Sequence, residues 1–198
     1  MKFTILMGSP RKDGNTASLL SPFLEELERN GHEISVFWLY DLNLRGCTAC
    51  RACQQEWDGF HCSIQDDCQT VFEAVRHTDV MVLATPIYSW FCTAPMKAVL
   101  DRLVYGLNKF YGREKGPALG EGTQVAILAT CGYRPERGAD LFEEGIRRYC
   151  RHSRMVYRGM MAERHLGYDT EFFDSEKERH ARGFARTLME RCAESARS

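Results

Sequence analysis

The sequence lacks the features that would place it in a membrane, on a secretory route or on a polyelectrolyte. Its longest apolar runs are about five residues, far short of the ~20 that cross a bilayer. Met1-Lys2-Phe3 leads straight into a strand-like segment with no signal-peptide pattern. Lys plus Arg (26) nearly cancels Asp plus Glu (27), so the net charge is -1 and neither nucleic acid nor a membrane surface is an expected partner. There is no internal repeat, no low-complexity tract, and neither a Walker A loop nor a G-x-G-x-x-G fingerprint. Nine cysteines cannot all pair within one chain, which disfavours a disulfide scaffold. These absences predict a cytoplasmic protein.

What is present suits one α/β domain over residues 1–198, since 198 residues with 44% hydrophobic content can bury a substantial core. Short β-branched runs alternate with amphipathic segments, the rhythm of a parallel sheet covered by helices on both faces. Five strands are expected: Lys2 to Met7, Ile34 to Trp38, Asp79 to Ala84, Gln124 to Ala129 and Met155 to Arg158. Leu19, Leu20, Phe23, Leu24 and Leu27 mark a helical face that stops at Asn30-Gly31, although Pro22 implies a kink or a late start. Asp66 or Asp67 caps a helix carrying Val71, Phe72 and Val75. Thr93 with Pro95 opens one carrying Met96, Val99, Leu100, Leu103 and Leu107. Asp140 opens a fourth helix. Ser175 with Glu178 forms a capping-box pattern before a last helix at about 175–195, with Ala181, Phe184, Ala185, Leu188 and Cys192 on its inner side.

An open parallel sheet binds its ligand outside the carboxyl ends of the strands, where strand order reverses, so the loops after strands one, three and four matter most. The first reads Gly8-Ser9-Pro10-Arg11-Lys12-Asp13-Gly14-Asn15-Thr16. Backbone N–H groups at a helix start, hydroxyl donors and one guanidinium form a phosphate cradle. Thr85-Pro86-Ile87-Tyr88-Ser89-Trp90-Phe91 and Thr130-Cys131-Gly132-Tyr133 bring aromatics to the same edge. A planar heterocycle can rest there, its polar edge read by the backbone of Pro86 to Ser89 and of Gly132.

Five cysteines, Cys47, Cys50, Cys53, Cys62 and Cys68, crowd into a loop at residues 45–68. Four readings are open: a [4Fe-4S] cluster, for which C-x2-C-x2-C with a distant fourth cysteine is suitable; a zinc site; a redox-active thiol pair; or unligated thiols. Cys47, Cys50, Cys53 and Cys62 are the candidate ligands, because Cys68 lies beyond Asp66-Asp67 inside a predicted helix. Trp57, Phe60 and His61 either shield a cluster or anchor the loop.

The strings G-S-P-R-x-x-G-N-T, A-T-P-I-Y and A-P-M-K-A-V-L-D-R resemble the flavodoxin-like NADPH-dependent FMN reductase superfamily over roughly residues 1 to 160. The cysteine segment is similar to that of its iron-sulfur flavoprotein branch. The resemblance implies a flavodoxin-like doubly wound five-stranded parallel sheet of order 2-1-3-4-5. It implies FMN, with Ser9, Arg11, Gly14, Asn15 and Thr16 at the phosphate, Pro86, Ile87, Tyr88 and Ser89 at the ribityl chain and ring, and Thr130, Gly132 and Tyr133 beside the isoalloxazine. It further implies a [4Fe-4S] cluster on the cysteine motif, and a homodimer or homotetramer. The activity implied is electron transfer from NAD(P)H or a ferredoxin-like donor to a small-molecule or protein acceptor. The alternatives are a cluster-free NAD(P)H:quinone or FMN reductase, and a non-enzymatic flavodoxin-like electron carrier, which would usually be strongly acidic.

Other polar positions read as structural. Lys97, Asp101 and Arg102 share a helix whose apolar face is already assigned, so solvent or a subunit is expected to face them. Cys92, Cys150 and Cys192 fall on apolar faces as small core residues. Cys131 sits in a ligand loop, and His165 and Tyr168 follow the last strand, where they either reach a substrate or, as is more frequent, are exposed loop residues. The charged face from Glu176 to Arg186 is expected in solvent.

Overall fold

The computed structural model describes residues 1–167 and 169–195; Tyr168 lies outside them. Its elements are β1 (Lys2–Met7), α1 (Asn15–Arg29), β2 (Glu33–Trp38), α2 (Cys68–Arg76), β3 (Val80–Pro86), α3 (Ala94–Leu107), β4 (Gln124–Cys131), the short α4 (Pro135–Gly138), α5 (Asp140–His152), β5 (Val156–Arg164) and α6 (Ser175–Ser195). The strands form one parallel sheet ordered β2-β1-β3-β4-β5, a flavodoxin-like arrangement.

The apolar runs explain the layering. Alternate residues point to opposite faces of a strand, so runs buried on both faces need helices on both. Phe3, Ile5 and Met7 of β1 and Val80, Val82 and Ala84 of β3 pack with α1 and α6. Leu6, Met81, Leu83, Val125 and Ile127 pack on the other face with α2, α3 and α5. Helix α1 runs through Pro22. An interior proline costs ~3 kcal/mol, and burial of Leu19, Leu20, Phe23 and Leu27, at ~1.5–3 kcal/mol each, outweighs it.

Three expectations need correction. The fifth strand continues to Arg164 instead of stopping at Arg158, because a bulge lets Val125 pair with Tyr157 and Ala126 with Gly159. Gly159 takes the φ of +132° that this register shift requires. The cap of α6 is Asp174, whose Oδ1 accepts the Lys177 amide at 2.8 Å, and not Ser175. The Glu176–Arg186 face is not wholly in solvent. Arg182 donates to Glu25 at 2.6 Å and Arg186 to Glu26 at 2.9 Å, which ties α6 to α1.

No helix among the described residues is long and apolar enough to cross a membrane. Because β2 and β3 lie on opposite sides of β1, the loops leaving β1 and β3 diverge and open a crevice at their carboxyl ends.

Candidate cofactor sites

A cleft of about 490 Å³ opens in that crevice, within the range of small-ligand sites. Ser9, Arg11, Asn15, Thr16, Pro86, Ile87, Tyr88, Ser89, Thr130, Gly132 and Tyr133 all line it. Gly14 does not. It lies beneath Arg11, and a Cβ there would come 3.0 Å from the Arg11 Cβ and Nε.

The phosphate end is built from the loop after β1. The Arg11 amide donates to Ser9 Oγ at 3.2 Å, curling the chain into the start of α1. No side chain caps α1 and its first turn holds no acidic residue, so its leading N–H groups remain for an anion. Lys12 is drawn away, its Nζ 2.5 Å from Asp41 and over the Trp38 ring. Arg11 is exposed and is the guanidinium of this loop at the cleft.

The other end is walled by the loops after β3 and β4. The Ile87 amide donates to the Thr130 carbonyl at 2.7 Å, holding the two loops together. Tyr88 and Phe91 close a tight turn by exchanging backbone hydrogen bonds, with Ser89 and Trp90 at φ of +49° and +63°. The turn lays Trp90 parallel to Tyr133, centroids 5.9 Å apart. Trp90 Nε1 is held by the Arg137 carbonyl at 3.1 Å. The cleft is also lined by Trp90 and Cys131 of the two loops named from the sequence, by His165 beyond the last strand, and by Gly138, which no sequence reading singles out. Burial pushes the Cys131 thiol up to about 11, and its Sγ donates to the Tyr133 carbonyl at 3.2 Å, which makes it a neutral part of the cleft wall.

A second cavity, of about 380 Å³, gathers Cys47, Cys50, Cys53 and Cys62 with Phe60, Arg102, Tyr105 and Tyr111. Cys68 stands apart in the core, where burial pushes its thiol up to about 12. Ala49 and Arg51, at φ of +55° and +63°, curl the chain between the first three cysteines. The Ala49 amide is 3.4 Å from Cys47 Sγ. Lys109 is buried and clamps the loop from inside, its Nζ donating to the carbonyls of Cys53 at 2.7 Å and Gly59 at 2.6 Å. Phe60 stacks on Phe72 at 4.5 Å, so it anchors the loop. His61 pairs with the exposed Asp58 and Glu56.

Arg102 corrects an expectation. It is buried and not solvated, and its Nη1 bonds both oxygens of Asp66 at 2.7 and 2.6 Å. Lys97 and Asp101 do lie outside, paired with each other at 2.6 Å. Local periodicity missed Arg102 because its partner is 36 residues away in the cysteine loop. Four cysteines on one cavity, with N–H groups at three of the sulfurs and a buried Arg102 Nε that has no partner among the described residues, fit an iron-sulfur cluster.

This sheet and the cleft at its carboxyl edge define a flavodoxin-like protein with a second, cysteine-lined cavity. Residues 1–162 match the model of the NADPH-dependent FMN reductase family, and the chain belongs to that family. An "Iron-sulfur flavoprotein" of Archaeoglobus fulgidus is 35% identical over 107 residues, covering 54% of this chain and 47% of the relative. Another, of Methanosarcina thermophila, is 34% identical over 104 residues, covering 52% and 53%. The matched stretch thus spans about half the length of these curated relatives. Among solved structures, an NAD(P)H:quinone oxidoreductase from Methanothermobacter marburgensis superposes with a TM-score of 0.65 at 24% identity over 96% of this chain and 97% of the other. FerB, an NAD(P)H:(acceptor) oxidoreductase from Paracoccus denitrificans, gives 0.64 at 18% over 98% and 97%. These two likenesses establish the fold.

Proposed function

We propose that the protein is an FMN-dependent oxidoreductase that accepts electrons from NAD(P)H or a ferredoxin-like donor and passes them to a small-molecule or protein acceptor. In this reading Cys47, Cys50, Cys53 and Cys62 hold a [4Fe-4S] cluster. The observation that carries it is the convergence of the uncapped α1 N-terminus, Arg11 and the Trp90–Tyr133 wall on one cleft. Family membership and the names of the curated relatives support the same reading.

Bound flavin interconverts hydride and single-electron transfer, and the chain supplies binding, orientation and water exclusion. Arg11 and the leading amides of α1 neutralise a monophosphate. The loop from Pro86 to Ser89 and Gly132 offer backbone groups to the polar edge of a ring, and Trp90 and Tyr133 cover its apolar body. A dinucleotide glycine fingerprint is absent, which favours FMN over FAD.

For the cysteine cavity the C-x2-C-x2-C run with a more distant fourth cysteine favours a cluster over zinc, whose four-cysteine sites usually come as two separated C-x2-C pairs. The exposed Trp90 and Tyr133 at the cleft mouth, 47% and 61% accessible, suit closure by a second copy in a homodimer or homotetramer.

The test is anaerobic steady-state oxidation of NADH and NADPH by flavin-loaded protein with a quinone acceptor, beside a parallel assay with reduced ferredoxin as donor. Turnover with one of these donors is expected. Reduction of the flavin without turnover in every combination would leave only an electron carrier and overturn the enzymatic reading.

A further inference from the structure

The Arg102 guanidinium is buried against the cysteine loop, and burying a charge is costly unless its donors are all used. Asp66 accounts for one of its nitrogens, Nη1, which also reaches the Arg45 carbonyl at 3.2 Å. Nη2 donates to the Ile64 carbonyl at 3.2 Å and to Cys62 Sγ at 3.4 Å. Nε is buried without a partner among the described residues. Among the described residues every hydrogen-bond partner of this side chain therefore lies between Arg45 and Asp66, in the segment that carries the four cysteines. Lys109, the other buried cation there, donates to backbone carbonyls, whereas Arg102 touches a sulfur.

Packing alone does not require such a group. The buried side of α3 is otherwise built from Met96, Val99, Leu100, Leu103 and Leu107, and an apolar residue at position 102 with a neutral partner at 66 would fill the same space at lower cost. A positive charge and an N–H···S bond at a ligating sulfur stabilise the state of a cluster that carries one more electron.

We propose that Arg102 is a positioning residue whose N–H···S contact with Cys62 raises the reduction potential of the iron-sulfur centre bound in the cysteine cavity. The inference rests on the cluster reading above. Asp66 orients the guanidinium by taking Nη1, which leaves Nη2 for Cys62.

The test compares the anaerobically purified parent with Arg102→Lys, Arg102→Gln and the double variant Asp66→Asn/Arg102→Gln. The double variant avoids leaving Asp66 buried without its cation and so is built to fold. Iron content, circular dichroism and a dithionite titration followed by electron paramagnetic resonance are measured on each. The double variant is expected to keep its iron and its fold but to reduce at a lower potential, its one-electron equilibrium falling about tenfold, equivalent to about 59 mV. Arg102→Lys, which keeps the charge and loses the planar fork, falls between the double variant and the parent. A double variant with full iron and the parent's potential overturns the proposal alone, as does a folded Arg102→Lys with full iron and a potential below that of the double variant. A parent without iron overturns both the proposal and the cluster reading.

Discussion

The hydroxyls of Thr16 and Thr130 lie 2.8 Å apart inside the protein although 114 residues separate them in the chain. One stands in the first turn of α1 and the other near the end of β4, so this bond ties the phosphate end of the cleft to its ring end.

Each hydroxyl depends on the other for its partner. Thr16→Val or Thr130→Val alone should destabilise the cofactor-free protein by about 1–3 kcal/mol, because the remaining hydroxyl is left buried and unpaired. The double variant should recover part of that loss. Urea unfolding of all four proteins completes the cycle, and strictly additive losses would mean that the two hydroxyls are not coupled.

Arg11→Ala should weaken FMN binding by about 10- to 150-fold, the equivalent of the 1.5–3 kcal/mol carried by one charge-assisted hydrogen bond. Fluorescence titration of cofactor-free protein reads this directly. Because Arg11 is exposed, its loss should leave the unfolding midpoint of the empty protein in place. An unchanged flavin affinity would move the phosphate elsewhere.

Cys62→Ser should lose iron and sulfide after anaerobic preparation, while Cys68→Ser should retain both. Cys62 lines the cysteine cavity and Cys68 is in the core. Equal loss in the two variants, or loss only in Cys68→Ser, would contradict the ligand set.

Asp66 makes stability depend on acid. Burial by itself would raise its carboxyl, but hydrogen bonds from Arg102 and from the Arg45 and Cys68 amides outweigh it and hold the group below the usual carboxylate range. A folded-state value below the unfolded one, near ~3.9, means that the stabilisation is complete above the unfolded value and is lost as pH falls from there through the lower folded-state value. Asp66→Asn should therefore cost about 3–5 kcal/mol at neutral pH, through the broken buried pair, and progressively less below pH ~4. Unfolding of metal-free parent and variant at a series of pH values checks this; a difference that does not vary with pH would assign the cost to packing.

The phosphate loop was legible in the sequence because its chemistry is local: a strand, small turn residues, one arginine and a helix start all lie within residues 8 to 16. The grouping of Cys47, Cys50, Cys53 and Cys62 was legible for the same reason. Arg102 and Lys109 were not, since nothing in helical periodicity distinguishes a cation facing solvent from one meeting a loop 36 to 56 residues earlier in the chain. The length of β5 was hidden by Gly159, which weakens a strand pattern but here sits at a bulge past which pairing continues. Trp90 reaches the cleft through a turn with two left-handed residues, one of them the tryptophan itself, a conformation its sequence does not advertise.

The central claim is that one chain holds FMN in the cleft and an iron-sulfur cluster on the four cysteines. The most direct measurement is the absorption spectrum of anaerobically purified, reconstituted protein before and after dithionite, followed by chromatography of the flavin released by heat. The account predicts flavin bands over a broad iron-sulfur absorbance, both bleached on reduction, and released flavin that is FMN in a one-to-one ratio with the chain. FAD, no flavin, or a spectrum without iron-sulfur absorbance after reconstitution would contradict it.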